Sequence, residues 1–129
     1  MTDAREHEKR REIAARARRR AERDRVERAR LIEVRLREAH AEIDRLVAAF
    51  RACDPGLRRV VLFGSIARGR VKRPGFDIDL AVDSDRYGDL LDIALDSSFD
   101  VDLIDLTWCS DYVREAVERH GVEVFRADR

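Results

Sequence analysis

From Thr2 to Phe50 the chain contains neither glycine nor proline, and Ala, Arg, Glu and Leu dominate it. These are strong helix formers, and nothing in the stretch interrupts them, so the whole segment reads as one long helix. Its two halves differ in what they offer a core. From Arg5 to Arg25 the apolar residues are mostly Ala, and charges occupy every face. Such a helix gains little from burial. From Arg28 onward a stripe appears: Ile32, Leu36, Ala39, Ile43, Leu46 and Phe50. Spacings that alternate four and three put these side chains on one face. The stripe is expected to pack on the domain that follows. A homodimer through the helix is the alternative, although barely three heptads are too few for a coiled coil.

The charge distribution divides the chain in the same way. Charged residues make up 42% of its 129 residues, yet the formal net charge is zero. Met1 to Arg45 holds 15 Lys/Arg against 11 Asp/Glu, whereas Arg58 to Arg129 holds 11 against 15. A basic arm precedes an acidic domain. This argues against a simple nucleic-acid binder, because the folded part lacks the positive face such a protein needs. It suits a site that attracts cations. Cys53 and Cys109 follow no metal-ligand spacing and read as ordinary thiols of a reducing compartment. No run approaches the ~20 apolar residues of a membrane span, and no apolar segment of signal-peptide length opens the chain. A soluble cytoplasmic protein is the expectation.

Asp54-Pro55-Gly56 ends the helix. The division expected is 1–53, a docking or dimerisation arm, and 54–129, a folded domain. Within that domain RRVVLF, Arg58 to Phe63, is a short apolar run that reads as a buried strand. Gly64-Ser65 follows at once, then a segment able to open a short helix, then a basic loop from Arg70 to Gly75. FDIDLAV, Phe76 to Val82, alternates strictly, with Asp77 and Asp79 on one face of a strand. Tyr87 to Leu95 has helical spacing. FDVDLIDL, Phe99 to Leu106, alternates again, and Cys109 to His120 is an amphipathic helix closed by Gly121 as a C′ glycine. Val122 to Phe125 is a last strand. Helices and strands alternate, so the fold class is α/β or α+β with a small mixed sheet. His7, His40 and His120 read as surface or structural residues. Trp108, Tyr87 and Tyr112 read as core or boundary residues.

Two aspartates at i and i+2 on a strand point the same way, with Cα atoms about 6.5–7 Å apart. Their repulsion is relieved by a divalent cation, and carboxylate oxygens suit Mg²⁺. An Asp-x-Asp pair alone is weak evidence, since Asp83 with Asp85 and Asp100 with Asp102 form others. The context gives it weight. A buried strand runs straight into Gly64-Ser65, where a missing Cβ lets backbone approach a phosphate and the Ser65 hydroxyl adds a donor. Arg68, Arg70, Lys72 and Arg73 place positive charge between that turn and the carboxylates. Phosphate donors on one side and cation ligands on the other suit a triphosphate–metal complex.

The stretch VVLFGSIARGRVKRPGFDIDLAV resembles the signature of polymerase-β-type nucleotidyltransferases, in particular the minimal nucleotidyltransferases. VDLIDL matches the context of that family's third carboxylate at Asp102, and REAVERHGVEVF resembles its closing helix and strand. The resemblance covers roughly Leu57 to Arg126. It departs from the family at Phe76, where a small polar residue is usual, and in a Ser65–Asp77 gap one residue longer than in many members. The resemblance implies a polymerase-β-like fold with Asp77, Asp79 and Asp102 as catalytic residues and ligands of two Mg²⁺ ions. It gives Gly64 and Ser65 to the terminal phosphates of ATP, and Arg68 to a further phosphate contact or a surface ion pair. It implies transfer of AMP to a hydroxyl, in the role of an antitoxin that modifies a HEPN-type ribonuclease toxin. Two other readings stay open: a fold kept for binding with catalysis lost, and a small-molecule nucleotidyltransferase of the aminoglycoside type.

Overall fold

A computed structural model describes residues 2–128. The helix foreseen from the sequence is present as α1, Thr2–Cys53. The remainder runs β1 (Arg59–Phe63), α2 (Gly64–Ala67), β2 (Ile78–Asp83), α3 (Tyr87–Leu95), β3 (Val101–Asp105), α4 (Asp111–His120) and β4 (Val122–Arg126). The four strands form one mixed sheet in the order β3-β2-β1-β4. β1 pairs antiparallel with β2 and with β4, and β2 pairs parallel with β3. The small mixed sheet with flanking helices matches the fold class expected from the sequence.

Both faces of the sheet are covered, as the alternation of apolar residues requires. Val60, Leu62, Ile78, Leu80 and Val82 form one core with Leu90 and Ala94 of α3 and Ala39, Ile43, Leu46 and Phe50 of α1. The apolar stripe of the long helix therefore packs on the domain. Val61 and Ala81 point the other way and meet Val117 of α4 and Leu106. Full burial of Leu46 and Phe50, both at 0% exposure, stabilises the helix–sheet contact by roughly 1.5–3 kcal/mol per side chain.

A buried polar latch fixes the end of α1. Asp54 accepts a hydrogen bond from the Gly56 N–H at 2.9 Å and another from the Ser84 hydroxyl at 2.5 Å. Asp54 and Ser84 are both buried. Ser84 accepts in turn from the Arg86 N–H, and the Arg86 guanidinium donates to the Cys53 carbonyl at 2.7 Å. The latch ties the helix end to the β2–α3 connection. Asp54→Ala strands the buried Ser84 hydroxyl and is expected to cost about 2–3 kcal/mol. A fall in the urea midpoint at unchanged slope checks it.

Several local expectations are corrected. β2 begins at Ile78 rather than Phe76, so Asp77 stands just before the strand and only Asp79 lies in it. α4 begins at Asp111, because the Ser110 side chain caps it by accepting from the Val113 N–H at 3.2 Å. Gly121 is not a left-handed C′ residue; its φ is −72° and its ψ 154°. It is glycine for room: a Cβ there would lie 2.3 Å from the Val117 carbonyl oxygen and 2.4 Å from Val61. Tyr87 is half-buried as expected, but Trp108 and Tyr112 are 85% and 84% exposed. Trp108→Ala is accordingly expected to move stability by no more than about 0.5 kcal/mol, read by thermal melting.

Candidate active site

The sheet register builds the site. Phe63 of β1 lies opposite Asp79 of β2, and Asp79 lies opposite Asp102 of β3. These three positions form a row across the sheet, at the end where β1 turns into α2. Gly64 follows Phe63 immediately and has a φ of 75°. A Cβ on Gly64 would lie 2.0 Å from Asp79 Oδ2 and 2.8 Å from its Cγ. The turn therefore rests on the Asp79 carboxylate, and only glycine permits both the backbone angle and the approach.

The electrostatics follow from this packing. Asp79 is half-buried between the turn and β3, whereas Asp77 and Asp102 are exposed. Burial, then the charge of Asp102, then that of Asp77, push the Asp79 carboxyl up to about 6. Asp77 and Asp102 line one cavity of about 280 Å³ with Asp100, Ser97 and Phe99. Asp100 shares the alternation of Asp102 in sequence; it stands just before β3, where its carbonyl accepts from the Ile78 N–H at 2.9 Å. Nothing in the period-two pattern separated these two aspartates.

The structure also disposes of a competing pair. Asp83 and Asp85 both accept from the Arg58 guanidinium, at 2.8 Å and 3.0 Å, so their charge is offset by an ion pair. Asp105 turns its Oδ1 to the Thr107 N–H at 2.9 Å and serves the turn after β3. Arg68 caps the end of α2 and faces α4, lining a recess with Tyr112, Glu115, Arg119 and His120. It is absent from the lining of the cavity of Asp77 and Asp102. Ser65 is half-buried in the first turn of α2, next to Gly64. Among the described residues no ion pair involves Arg68, Arg70, Lys72 or Arg73. A cationic loop thus spans the sequence between the glycine turn and Asp77.

As arranged, no group of three or more His, Cys, Asp or Glu side chains among the described residues is drawn together tightly enough to hold a metal ion. The donor chemistry fits a hard cation all the same: three carboxylates share one end of the sheet, and two of them raise the pKa of the third.

Residues 43–123 match the family model of the nucleotidyltransferase domain, and the chain belongs to that family. Its likeness to the minimal nucleotidyltransferases extends to solved structures. A chain of a toxin–antitoxin complex with AMP-PNP is 26% identical, with a TM-score of 0.53 over 64% of this chain and 73% of that one. A chain of the tri-AMPylated Shewanella oneidensis HEPN toxin in complex with MNT antitoxin is 25% identical, with a TM-score of 0.50 over 71% and 73%. The toxin–antitoxin pair MntA–HpeT, in a mutant form, shares the fold at 23% identity and a TM-score of 0.53. No curated protein sequence matches the chain. No helix among the described residues is long and apolar enough to cross a membrane.

Proposed function

We propose that this protein is the nucleotidyltransferase antitoxin of a HEPN-type pair, transferring AMP from ATP to a hydroxyl of its partner. The row of Asp79 and Asp102 beside the Gly64 turn carries the reading, since it sets a glycine turn against two carboxylates on neighbouring strands. The AMP-PNP complex and the tri-AMPylated HEPN toxin complex among the structural neighbours support the donor and the acceptor.

Asp77, Asp79 and Asp102 would hold Mg²⁺. When bound, the ion supplies positive charge that polarises the triphosphate and lowers the pKa of the attacking hydroxyl. Gly64 lets the turn sit beside the carboxylates, and the Ser65 hydroxyl donates to the terminal phosphates. Arg70, Lys72 and Arg73 offset the polyphosphate charge, being free of ion pairs within the described residues. Asp102 accepts the proton of the attacking hydroxyl. A bond forms from that oxygen to the α-phosphorus, the bond to the bridging oxygen breaks, and pyrophosphate leaves.

Incubation with α-labelled ATP and Mg²⁺, with and without a HEPN-type protein from the same genome, tests this. Label is expected on the partner and absent with the Asp77→Ala/Asp79→Ala variant. A stable complex with no label from any nucleotide would overturn it and leave a binding module. Label on a small molecule instead would point to the aminoglycoside-type reading.

A further inference from the structure

The first half of α1 stands clear of everything else in the structure. From Asp3 to Leu31 every side chain is exposed save Ala15, which is partly covered. Contact with the core begins at Arg35, whose guanidinium lies 3.7 Å from the Phe99 ring centroid, and becomes complete at Ala39. Over Lys9–Arg30 there are eleven Lys/Arg against four Asp/Glu, and over Lys9–Arg20 seven against one. The first ion pair along the chain among the described residues is Arg25 with Glu22, so the cations of Lys9–Arg20 have no acidic partner. Like charges three and four residues apart, such as Arg16 with Arg19 and Arg20, destabilise a helix. A ligand with dense negative charge removes that repulsion.

We infer that this arm docks along the major groove of duplex DNA, through the phosphate backbone. At 100° per residue Lys9, Arg16, Arg20, Arg23 and Arg30 share one side of the helix, and Arg11, Arg18 and Arg25 share the opposite side. A helix about 10–12 Å across enters a groove about 12 Å wide and meets phosphates on both walls. Cations on two opposite sides fit that arrangement. The deep, narrow major groove of an RNA duplex does not admit it.

A membrane surface and a second copy of this chain lack a matching surface. A membrane-surface helix needs a continuous apolar face. The exposed apolar residues of the arm, Ile13, Val26 and Leu31, do not form one, because Val26 lies about 140° around the helix from Ile13. The same scatter leaves no heptad seam for a second copy. The acidic domain of a second copy is a poor match as well, since Asp83, Asp85, Glu118 and Glu123 already pair with Arg58 and Arg59. The acidic domain set the expectation against nucleic acid; the arm is physically separate from it. Nothing in the active site enters this docking.

The test is fluorescence anisotropy of the full chain with a labelled random-sequence DNA duplex, titrated between about 50 and about 200 mM salt. Parallel titrations use single-stranded RNA and phosphatidylserine-containing vesicles, and sedimentation reads self-association. Duplex binding is expected to weaken steeply with salt. The variant Lys9→Gln/Arg16→Gln/Arg20→Gln/Arg23→Gln should lose at least about tenfold in affinity and reduce the log–log salt slope by about 3.6, four phosphates at about 0.9 each. Replacing the three arginines by Lys should restore binding, with helix content by circular dichroism unchanged throughout. Asp77→Ala/Asp79→Ala should bind as the parent does. No duplex binding at low salt, an affinity unmoved by the Gln substitutions, tighter binding to RNA or vesicles, or self-association abolished by those substitutions would each overturn the inference.

Discussion

Asp79→Asn is expected to lower nucleotidyl transfer by about a thousandfold or more and, in metal-free buffer above pH 6, to make the protein more stable. The two effects have one origin. Asp79 is half-buried between the Gly64 turn and Asp102, and its carboxyl is pushed up to about 6 from the ordinary carboxylate value of about 4. Burial contributes most, followed by the charges of Asp102 and Asp77. Between those two pH values the folded state holds a proton that the unfolded chain has released. Stability therefore falls as pH rises through this window and stays reduced above it. For a half-exposed group screened by solvent the loss amounts to about 1–2 kcal/mol. Asn keeps the shape and removes the charge, so its stability should be flat over the same window. Urea melts of both proteins in EDTA from pH 4 to pH 8 check this, and equal pH dependence would show that the Asp79 carboxylate is not strained by its neighbours. The activity loss is read with labelled ATP and partner at saturating Mg²⁺.

Gly64→Ala should damage stability and transfer together. At a φ of 75° an L-residue costs about 1–2 kcal/mol. The new Cβ would also fall 2.0 Å from Asp79 Oδ2. That atom belongs to a short side chain at the middle of the row, so relief requires the carboxylate to leave its position. We expect a loss of about 2–4 kcal/mol in total and transfer reduced at least about a hundredfold, because the carboxylate is displaced from its place opposite Asp102. The diagnostic comparison is Gly69→Ala. Gly69 also has positive φ, 63°, but a Cβ there meets nothing within 4 Å. It should show the backbone cost alone and retain most activity. Equal activity loss in the two variants would mean that the Gly64–Asp79 contact has no special role.

Much of this protein is legible residue by residue. The long helix follows from a stretch without Gly or Pro, and its inward stripe from spacings of three and four. The strands follow from strict alternation, and the carboxylate positions from the Gly-Ser and Asp-x-Asp pattern. What alternation left undecided was the choice among equivalent acidic pairs. Asp83 and Asp85 have the same spacing as Asp77 and Asp79, but Arg58, far away in sequence, pairs with both of them. Alternation also left Arg68 open between a phosphate contact and a surface ion pair; it stands at the end of α2, beside α4.

The sequence by itself determined the local structure, because helix propensity and apolar periodicity act over a few neighbouring residues. It determined the charge split and the residue types of the site for the same reason. Only the tertiary structure decided which carboxylates share an environment, since strand register brings Asp102 beside Asp79 from 23 positions along the chain. It alone decided that Gly64 is needed for space against Asp79, that Gly121 is needed for space against α4, and that Trp108 stays in solvent. Contacts between distant segments depend on register and packing direction, and neither is encoded in the spacing of neighbouring residues.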